Sequence, residues 1–252
     1  MALRPYIVGN WKMNGLRGAL AEARAIDRLA QRYPSVEIAL APPATLLHAM
    51  ALEVSHIGVG AQNAHSNGSG AFTGEVSAAM LADSGAHFAI VGHSERRWQQ
   101  GEDDSLVRAK AEAVLAAGMQ ALVCVGENED KRLAGQAEAT VIEQLQGSLP
   151  RVEGAAQQLV VGYEPVWAIG TGRIPTVSEV GAMHRAIRRA LMEAYGAEGE
   201  GVRILYGGSV TAENAAELLA VEDVGGALVG GASLTTEKFS GIILAAAARV
   251  DA

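Results

Sequence analysis

Short β-rich runs recur along the whole chain, and amphipathic helical stretches lie between them. Eight strands in 252 residues is about 31 residues per βα unit, which is close to what an eight-stranded α/β barrel requires. The strands are predicted near Tyr6–Gly9, Val36–Ala41, Ile57–Ala61, Phe88–Val91, Ala121–Val125, Leu159–Tyr163, Arg203–Tyr206 and Ala227–Val229. The clearer helices are predicted at Ala19–Ala30, Ser105–Ala117, Val177–Tyr195, Ala212–Leu219 and Ile242–Val250.

The strand count alone does not choose a fold, because an open doubly wound sheet uses the same βα alternation. No linker, sequence repeat or low-complexity tract divides the chain, so we expect one domain spanning residues 1–252. Hydrophobic residues make up 49% of the chain and aromatic residues only 4%, so Ala, Val, Ile and Leu must fill the core.

Charge and cysteine content exclude several classes of protein. The net charge of −8 argues against a nucleic-acid or anionic-membrane surface. A single cysteine, Cys124, rules out an intramolecular disulfide framework and is typical of a reducing compartment; we expect it to be a small core residue. No secretory apolar region follows a basic start, and no uncharged apolar run approaches the length of a membrane span. We therefore expect a soluble cytoplasmic protein.

The segment from Val160 to Gly172 gives the strongest indication of chemistry. A buried strand ends at Glu164, and Pro165 keeps Glu164 out of the helical region, so the carboxylate lies where the strand ends. An apolar tip, Val166–Ile169, follows and leads into Gly170-Thr171-Gly172. A stiff hinge, an apolar middle and flexible glycines predict a lid, and the alternative is an ordinary surface loop with a buried tryptophan.

Two further strand ends carry polar side chains. Lys12 follows the first strand, where an ammonium group is costly unless it meets an anion; the alternative is a lysine that extends to the surface. His93 ends the fourth strand before a predicted helix start that Ser94 is able to cap. The helix dipole there disfavours imidazolium, and a neutral ring can donate a hydrogen bond to a carbonyl, unless this is simply a satisfied structural histidine. Glu95 is predicted to be a structural partner of Lys12 or Arg96.

Glycine pairs follow the last two strands, at Gly207-Gly208 before Ser209 and at Gly230-Gly231. Such pairs let backbone N–H groups approach an anion, and barrels often bind phosphate between these two loops. The chain has no nucleoside-triphosphate loop, and Gly58-Val59-Gly60 lacks the third glycine of a dinucleotide site. The six histidines show no metal-ligand spacing, so we expect neither a metal nor a cofactor.

Taken together, these motifs resemble the triosephosphate isomerase family. The matching segments occur in family order and span the chain, and the departure is Arg173 and Pro175 beyond the lid, where the family often has Lys and a small residue. The segments are Asn10–Lys12, Gly60–Asn63, Gly70–Glu75, Val91–Arg97, Cys124–Glu127, Tyr163–Gly172, Tyr206–Val210 and Val229–Leu234.

The resemblance implies a TIM barrel that interconverts D-glyceraldehyde 3-phosphate and dihydroxyacetone phosphate through an enediol(ate), in glycolysis and gluconeogenesis. Glu164 would be the base, and His93 would polarise the substrate carbonyl and shuttle protons. Lys12 would offset negative charge, and Asn10 would help hold the substrate oxygens. The groups implied to bind the phosphate are the backbone at Gly170, Gly230 and Gly231 and the side chain of Ser209.

The Gly/Ser-rich loop Ser66–Gly74 carries Phe72 and Thr73, and a long protruding loop of this kind is either disordered or docked on a partner. By family analogy it would insert into a second subunit of a homodimer, with Thr73 contacting the neighbour's active site. Rival hypotheses are another phosphate-handling barrel, such as an aldolase or epimerase, and a catalytically silent phosphate-binding protein. A Schiff-base aldolase would need a lysine at the end of a late strand, and a metal-dependent aldolase or epimerase would need metal ligands; the sequence offers neither. A catalytically silent protein should have lost Lys12, His93 or Glu164, and all three are present.

Overall fold

The structure, a computed structural model, describes residues 3–169, 171 and 173–250. Eight parallel strands form a closed barrel, in which each strand pairs with the next along the chain and the last pairs with the first. This confirms the predicted (β/α)8 TIM barrel and excludes the open sheet. The strands are β1 (Tyr6–Asn10), β2 (Glu37–Ala41), β3 (Gly58–Ala61), β4 (Phe88–Val91), β5 (Gln120–Val125), β6 (Leu159–Tyr163), β7 (Arg203–Tyr206) and β8 (Gly226–Val229).

Ten α-helices surround the barrel within the described ranges. They are α1 (Leu20–Ala30), α2 (Ala44–Glu53), α3 (Ala78–Asp83), α4 (Ser94–Gln100), α5 (Asp104–Ala116), α6 (Glu129–Leu133), α7 (Ala137–Ser148), α8 (Val177–Tyr195), α9 (Ala215–Leu219) and α10 (Thr236–Val250). The predicted α8 has the observed bounds, whereas α9 begins later and α10 earlier than predicted. None of these helices combines the length and apolar character needed to cross a membrane.

Side chains alternate between two cores along each strand, as the two-residue period of a strand requires. On β1, Val8 belongs to the cluster inside the barrel, and its neighbour Ile7 belongs to the larger cluster between the strands and the helices. Inside the barrel, the Phe88 ring occupies the space that a side chain at Gly60 would need. Because the interior is filled with side chains, the open space for a ligand lies at the ends of the strands.

A capping box fixes the start of α8 just beyond the predicted lid. The Thr176 hydroxyl accepts a hydrogen bond from the Glu179 N–H at 3.3 Å, and the Glu179 carboxylate accepts one from the Thr176 N–H at 2.7 Å. This reciprocal arrangement satisfies backbone donors that the first helical turn leaves free. The chain that follows the lid is therefore anchored to a rigid helix.

His184 of α8 is fully buried against the barrel. Its Nδ1 lies 3.2 Å from the carbonyl oxygen of Asp223, and the rings of Tyr163 and Tyr206 lie 5.9 and 6.5 Å away, centroid to centroid. Burial lowers the pKa of His184 from 6.5 to about 4, although the hydrogen bond to Asp223 opposes this shift. The folded protein therefore holds this ring neutral at pH values where the unfolded chain protonates it.

We expect this histidine to make the fold acid-sensitive. Because the pKa is lowered on folding, its stabilising contribution is complete above pH 6.5 and is lost as the pH falls towards about 4. Between pH 7 and pH 5 the loss should be about 2 kcal/mol in the free energy of unfolding. Urea denaturation at both pH values, at one protein concentration, measures it. His184→Gln should be less stable at pH 7 but show a smaller drop, and an equal drop would contradict the assignment.

Candidate active site

A cavity of about 370 Å³ opens at the carboxyl ends of the strands. Strand ends distant in sequence meet there because parallel strands of one barrel all end on the same face. Gly170 lies outside the described residues. The sequence-predicted residues that line this cavity are Asn10, Lys12, His93, Glu164, Ser209, Gly230 and Gly231.

Glu164 presents a buried carboxylate to this cavity, with only 1% of the residue exposed. One oxygen, Oε1, lies 3.0 Å from Nε2 of His93 and accepts a 3.0 Å hydrogen bond from the Ser94 hydroxyl. The other oxygen accepts the Ser94 backbone N–H at 3.0 Å. The two donors of Ser94 thus hold the carboxylate against the start of α4. The sequence indicated the position of Glu164 but not this contact with Ser94.

Two glycines on neighbouring strand ends make room for Glu164. A Cβ at Gly126, after β5, would overlap the carbonyl oxygen of Glu164. A Cβ at Gly207, after β7, would lie 3.0 Å from the Glu164 Cγ. The backbone N–H of Glu164 donates to the Val125 carbonyl at 2.8 Å, so the residue still belongs to the barrel's hydrogen-bonding pattern. The carboxylate is therefore held by a rigid strand end rather than by a free loop.

The geometry of His93 fixes its tautomer. His93 is the N-cap of α4, and its Nδ1 accepts the backbone N–H of Glu95 at 3.3 Å. A nitrogen that accepts a hydrogen bond carries no proton, so the neutral ring holds its hydrogen on Nε2. Nε2 is also the ring nitrogen that lies 3.0 Å from the Glu164 carboxylate. The prediction that Ser94 caps the helix is wrong, because Ser94 is the first helical residue and its hydroxyl is committed to Glu164.

Lys12 places its ammonium group beside the cavity and pairs with Glu95, as predicted, at 2.7 Å. Partial burial acts to raise the pKa of Glu95, but the hydrogen bond and the charge of Lys12 oppose it, and the pKa is lowered. The Lys12 side chain also passes Gly230, where an added Cβ would lie 3.4 Å from the lysine Cε. The cation therefore lies between the His93 side of the cavity and the glycines that follow β8.

The two glycine pairs and Ser209 also line this cavity. The turn after β8 is fixed by a hydrogen bond from the Ser233 N–H to the Gly230 carbonyl at 2.8 Å. The indole N–H of Trp11 donates to the Ser233 carbonyl at 3.0 Å and ties this turn to the end of β1. A rigid wall of backbone with little side chain suits an anion that is held by N–H groups.

The predicted lid begins as a short 3₁₀ turn, Val166–Ala168. Two neighbouring side chains hold the indole of Trp167 in this turn. The Trp167 N–H donates to Oε1 of Glu127 at 2.8 Å, and the Arg132 guanidinium lies 4.2 Å from the indole ring centroid. Burial raises the pKa of Glu127, although hydrogen bonds from Trp167 and Tyr163 oppose the shift. Sequence reasoning missed Glu127 as a contact of the lid, and only its place at a strand end could have suggested it.

The cavity is lined by groups that are able to transfer protons. A carboxylate, an imidazole, an ammonium group and the backbone of two glycine pairs all line it. Within the residues described, no group of three or more His, Cys, Asp or Glu side chains could hold a metal ion. Cys124 is buried, as predicted, and burial together with the nearby Glu164 raises the pKa of its thiol. The thiol is therefore held in its uncharged form.

Comparisons with known proteins identify close relatives. The family model described as triosephosphate isomerase matches residues 5–246. A triosephosphate isomerase of Afipia carboxidovorans is 52% identical over 244 residues, covering 95% of this chain and 96% of that protein. One of Caulobacter vibrioides is 51% identical over 245 residues, with 96% of each chain covered. The crystal structure of triosephosphate isomerase from Bartonella henselae superimposes with a TM-score of 0.89 at 42% identity, covering 96% of this chain and 99% of that one.

Proposed function

We propose that Glu164 and His93 transfer the protons in the reaction of this chain, which belongs to the triosephosphate isomerase family. The chain is an aldose–ketose isomerase that interconverts D-glyceraldehyde 3-phosphate and dihydroxyacetone phosphate in glycolysis and gluconeogenesis. The observation that carries this assignment is the 3.0 Å contact between Glu164 Oε1 and His93 Nε2 in one cavity. A base and an electrophile that meet there can act on adjacent carbons of one small substrate.

In the proposed reaction, Glu164 removes the proton from the carbon next to the substrate carbonyl. His93 donates its Nε2 hydrogen to the carbonyl oxygen, so that an enediol forms with no net charge left on that oxygen. Glu164 then returns its proton to the former carbonyl carbon. The hydroxyl on the carbon that first lost a proton gives its proton to His93, and the new carbonyl forms there. Each step conserves protons, and both residues end in their starting state. The neutral tautomer fixed by Glu95 supports the donor role.

Substrate charge is met by the remaining groups. We propose that Lys12 offsets the charge of the substrate and of the intermediate, and that Asn10 helps to hold the substrate oxygens. Lys12 already forms a close pair with Glu95, which supports a cation held at the cavity. The groups proposed to bind the phosphate are the backbone at Gly170, Gly230 and Gly231 and the side chain of Ser209.

A purified-protein assay tests the function directly. We expect the protein to interconvert the two triose phosphates, with product detected through a coupled dehydrogenase, and to do so equally with and without EDTA. Absence of turnover would overturn the isomerase assignment. Loss of turnover in EDTA that a divalent metal restores would instead show that the proposed metal-free chemistry is wrong.

We also propose that the segment from Val166 to Gly172 is a lid that closes over the bound substrate. An apolar tip beside a polar cavity supports this, since closure would exclude water and strengthen the electrostatic contacts inside. The bond from Trp167 to Glu127 would hold the segment in the described position. The carbonyl oxygen of Ala168 already accepts a hydrogen bond from Ser209 at 3.3 Å, linking the lid to the proposed phosphate side.

The proposed biological unit is a homodimer formed through the Ser66–Gly74 loop. Phe72 stacks on His65 with ring centroids 4.2 Å apart, yet 40% of it stays exposed in the single chain. Met13, in the loop after β1, is 96% exposed beside a second cavity of about 370 Å³ that Lys12 and Glu95 also line. We propose that the partner's loop fills this cavity and brings Thr73 of the partner subunit to the active site.

We expect Thr73→Glu combined with Phe72→Ser to shift the protein towards monomer. The glutamate at position 73 adds a charge to a surface that would lose its water on association. The serine at position 72 removes the aromatic side chain that would be buried in the interface. Sedimentation velocity over a range of concentrations measures the shift. Val152→Ser, which alters an exposed apolar residue at the opposite end of the barrel, should leave the dimer intact. An intact dimer in the double variant would remove the loop from the interface.

We further propose that residues 1–252 act as one catalytic domain in the cytoplasm. The single buried thiol of Cys124 supports a reducing compartment, and the reaction is one of central metabolism.

A further inference from the structure

The backbone of Lys12 adopts a conformation that is rare for a residue with a side chain. Its φ is 51°, and among the described residues only Asp223 shares a positive φ without being glycine. The left-handed region costs such a residue about 1–2 kcal/mol, so it persists only where surrounding contacts enforce it. Because Lys12 is the proposed substrate-charge partner, the contacts that enforce this backbone bear on catalysis.

Two side chains hold both polar groups of the Lys12 backbone. The Asn10 side-chain oxygen accepts the Lys12 N–H at 2.9 Å, and the Gln62 side-chain nitrogen donates to the Lys12 carbonyl at 2.8 Å. The same Gln62 nitrogen donates to the Ala41 carbonyl, also at 2.8 Å. Because both neighbours of this atom are carbonyl oxygens, it must be the amide nitrogen rather than the oxygen. Its two hydrogens are therefore both used in this bridge.

Gln62 thus connects the ends of three strands. It follows β3, it holds the Ala41 carbonyl at the end of β2, and it holds the Lys12 carbonyl after β1. The Ala41 carbonyl also accepts the Trp11 backbone N–H at 3.0 Å. The same carbonyl oxygen is therefore bonded to Trp11 directly and is linked to Lys12 through the Gln62 side chain. Gln62 is not among the described residues that line the cavity of Glu164 and His93. Its direct link to that cavity is the hydrogen bond to the carbonyl of Lys12, which does line it.

We propose that Gln62 is a positioning residue for the isomerase reaction and acts by holding Lys12 in its left-handed conformation. This inference rests on the proposed role of Lys12. Backbone φ sets the direction in which the Cα–Cβ bond leaves the chain, and therefore where a long side chain can place its ammonium group. Without the bridge, Lys12 relaxes towards an ordinary φ, and its ammonium group moves away from the substrate charge. Displacement of a catalytic group by about 1 Å can cost about 100-fold in rate.

A double-mutant cycle on kcat/KM for glyceraldehyde 3-phosphate tests this. Gln62→Met keeps the length of the side chain but removes both donors. We expect it to lower kcat/KM by about 10- to 100-fold in the native background, and to have almost no effect when Lys12→Ala is already present. An equal loss in both backgrounds would mean that Gln62 has a general structural role. No loss in the native background would also overturn the proposal.

Gln144 provides a matched control. Its side chain holds both polar groups of Gly126, accepting its N–H at 2.8 Å and donating to its carbonyl at 3.1 Å, at the end of β5. Gln144→Met should cost stability, and its effect on kcat/KM should be the same with and without Lys12→Ala. Because Gln62 also lines the proposed dimer cavity, sedimentation at the assay concentration should accompany the cycle. If Gln62→Met fails to fold, the shorter amide of Gln62→Asn, which cannot span both carbonyls, enters the same cycle.

Different results would overturn the proposed function and the proposed role of Gln62. If the native protein has no isomerase activity, or if Lys12→Ala leaves kcat/KM unchanged, the proposed function or the role of Lys12 is wrong and the role of Gln62 fails with it. If both hold and the cycle is additive, only the role of Gln62 is wrong.

Discussion

Glu164→Gln is expected to lower kcat by about 10²- to 10⁴-fold, because a positioned general base contributes about that factor. An amide of the same shape cannot take up the substrate proton. Its oxygen can still accept the Ser94 N–H, which now donates at 3.0 Å, so the fold and the phosphate side of the cavity should persist. Steady-state kinetics should therefore show a collapse of kcat with a much smaller change in KM.

The matched control is a second buried carboxylate outside the cavity. Glu102 accepts a hydrogen bond from Lys110 at 2.5 Å and is 5% exposed, so Glu102→Gln also removes a buried charge. That variant should lose stability because it leaves Lys110 without its charged partner. It should still turn over substrate. Near-native isomerisation by Glu164→Gln would remove Glu164 from the role of base.

Lys12→Met is expected to impair both binding and turnover. Breaking a desolvated, hydrogen-bonded charge pair costs up to about 5 kcal/mol, which corresponds to about 10³- to 10⁴-fold in kcat/KM. Both parameters should change, because the ammonium group is proposed to meet the charge of the substrate and that of the intermediate. Methionine keeps an unbranched apolar stem of similar length, so packing against Gly230 should change little.

The control is Lys131→Met on α6, where the lysine is exposed and its ammonium nitrogen lies 3.2 Å from Gln136. This change removes the same charge from the whole protein but not from the cavity, so a general electrostatic effect would appear in both variants. If Lys12→Met binds the substrate as tightly as the native protein does, the ammonium group lies outside the binding site.

The strands could be predicted closely because parallel strands buried on both faces are near-continuous apolar runs. The helix α10 shows where this reasoning stops. Its apolar part indicated a start at Ile242, but the helix begins at Thr236, whose N–H and hydroxyl both donate to the Glu22 carboxylate at 2.7 and 2.8 Å. That carboxylate comes from α1, far away in the sequence, so no local pattern could reveal it.

A local hydrogen bond explains the opposite error at α9. The predicted helix began at Ala212, whereas the observed one begins at Ala215. The Asn214 side chain accepts the Thr211 N–H at 2.8 Å and donates to the Ser209 carbonyl at 3.1 Å, which makes a turn out of the first predicted residues. Asparagine often competes with helix formation in this way, so the signal was present but did not outweigh the helical pattern.

At the site, the rule that catalytic groups follow barrel strands placed Lys12, His93 and Glu164 at strand ends. It did not reveal which way each side chain turns. The contacts of Ser94 with Glu164, of Trp167 with Glu127 and of Gln62 with Lys12 join residues 40 to 70 positions apart. Such contacts depend on how the strand ends are arranged around the barrel, and one sequence carries no local signal for that arrangement.

Proton transfer through Glu164 is the central claim, and isotope incorporation tests it most directly. Glyceraldehyde 3-phosphate is converted in D₂O, and the dihydroxyacetone phosphate is analysed for deuterium on the carbon that received a hydrogen. Because a carboxylic acid exchanges its proton with solvent, we predict deuterium there above the level of a protein-free control. Product formed at the full enzymatic rate without deuterium would show that the transferred hydrogen does not exchange with solvent, and it would contradict transfer through an exchanging carboxylic acid.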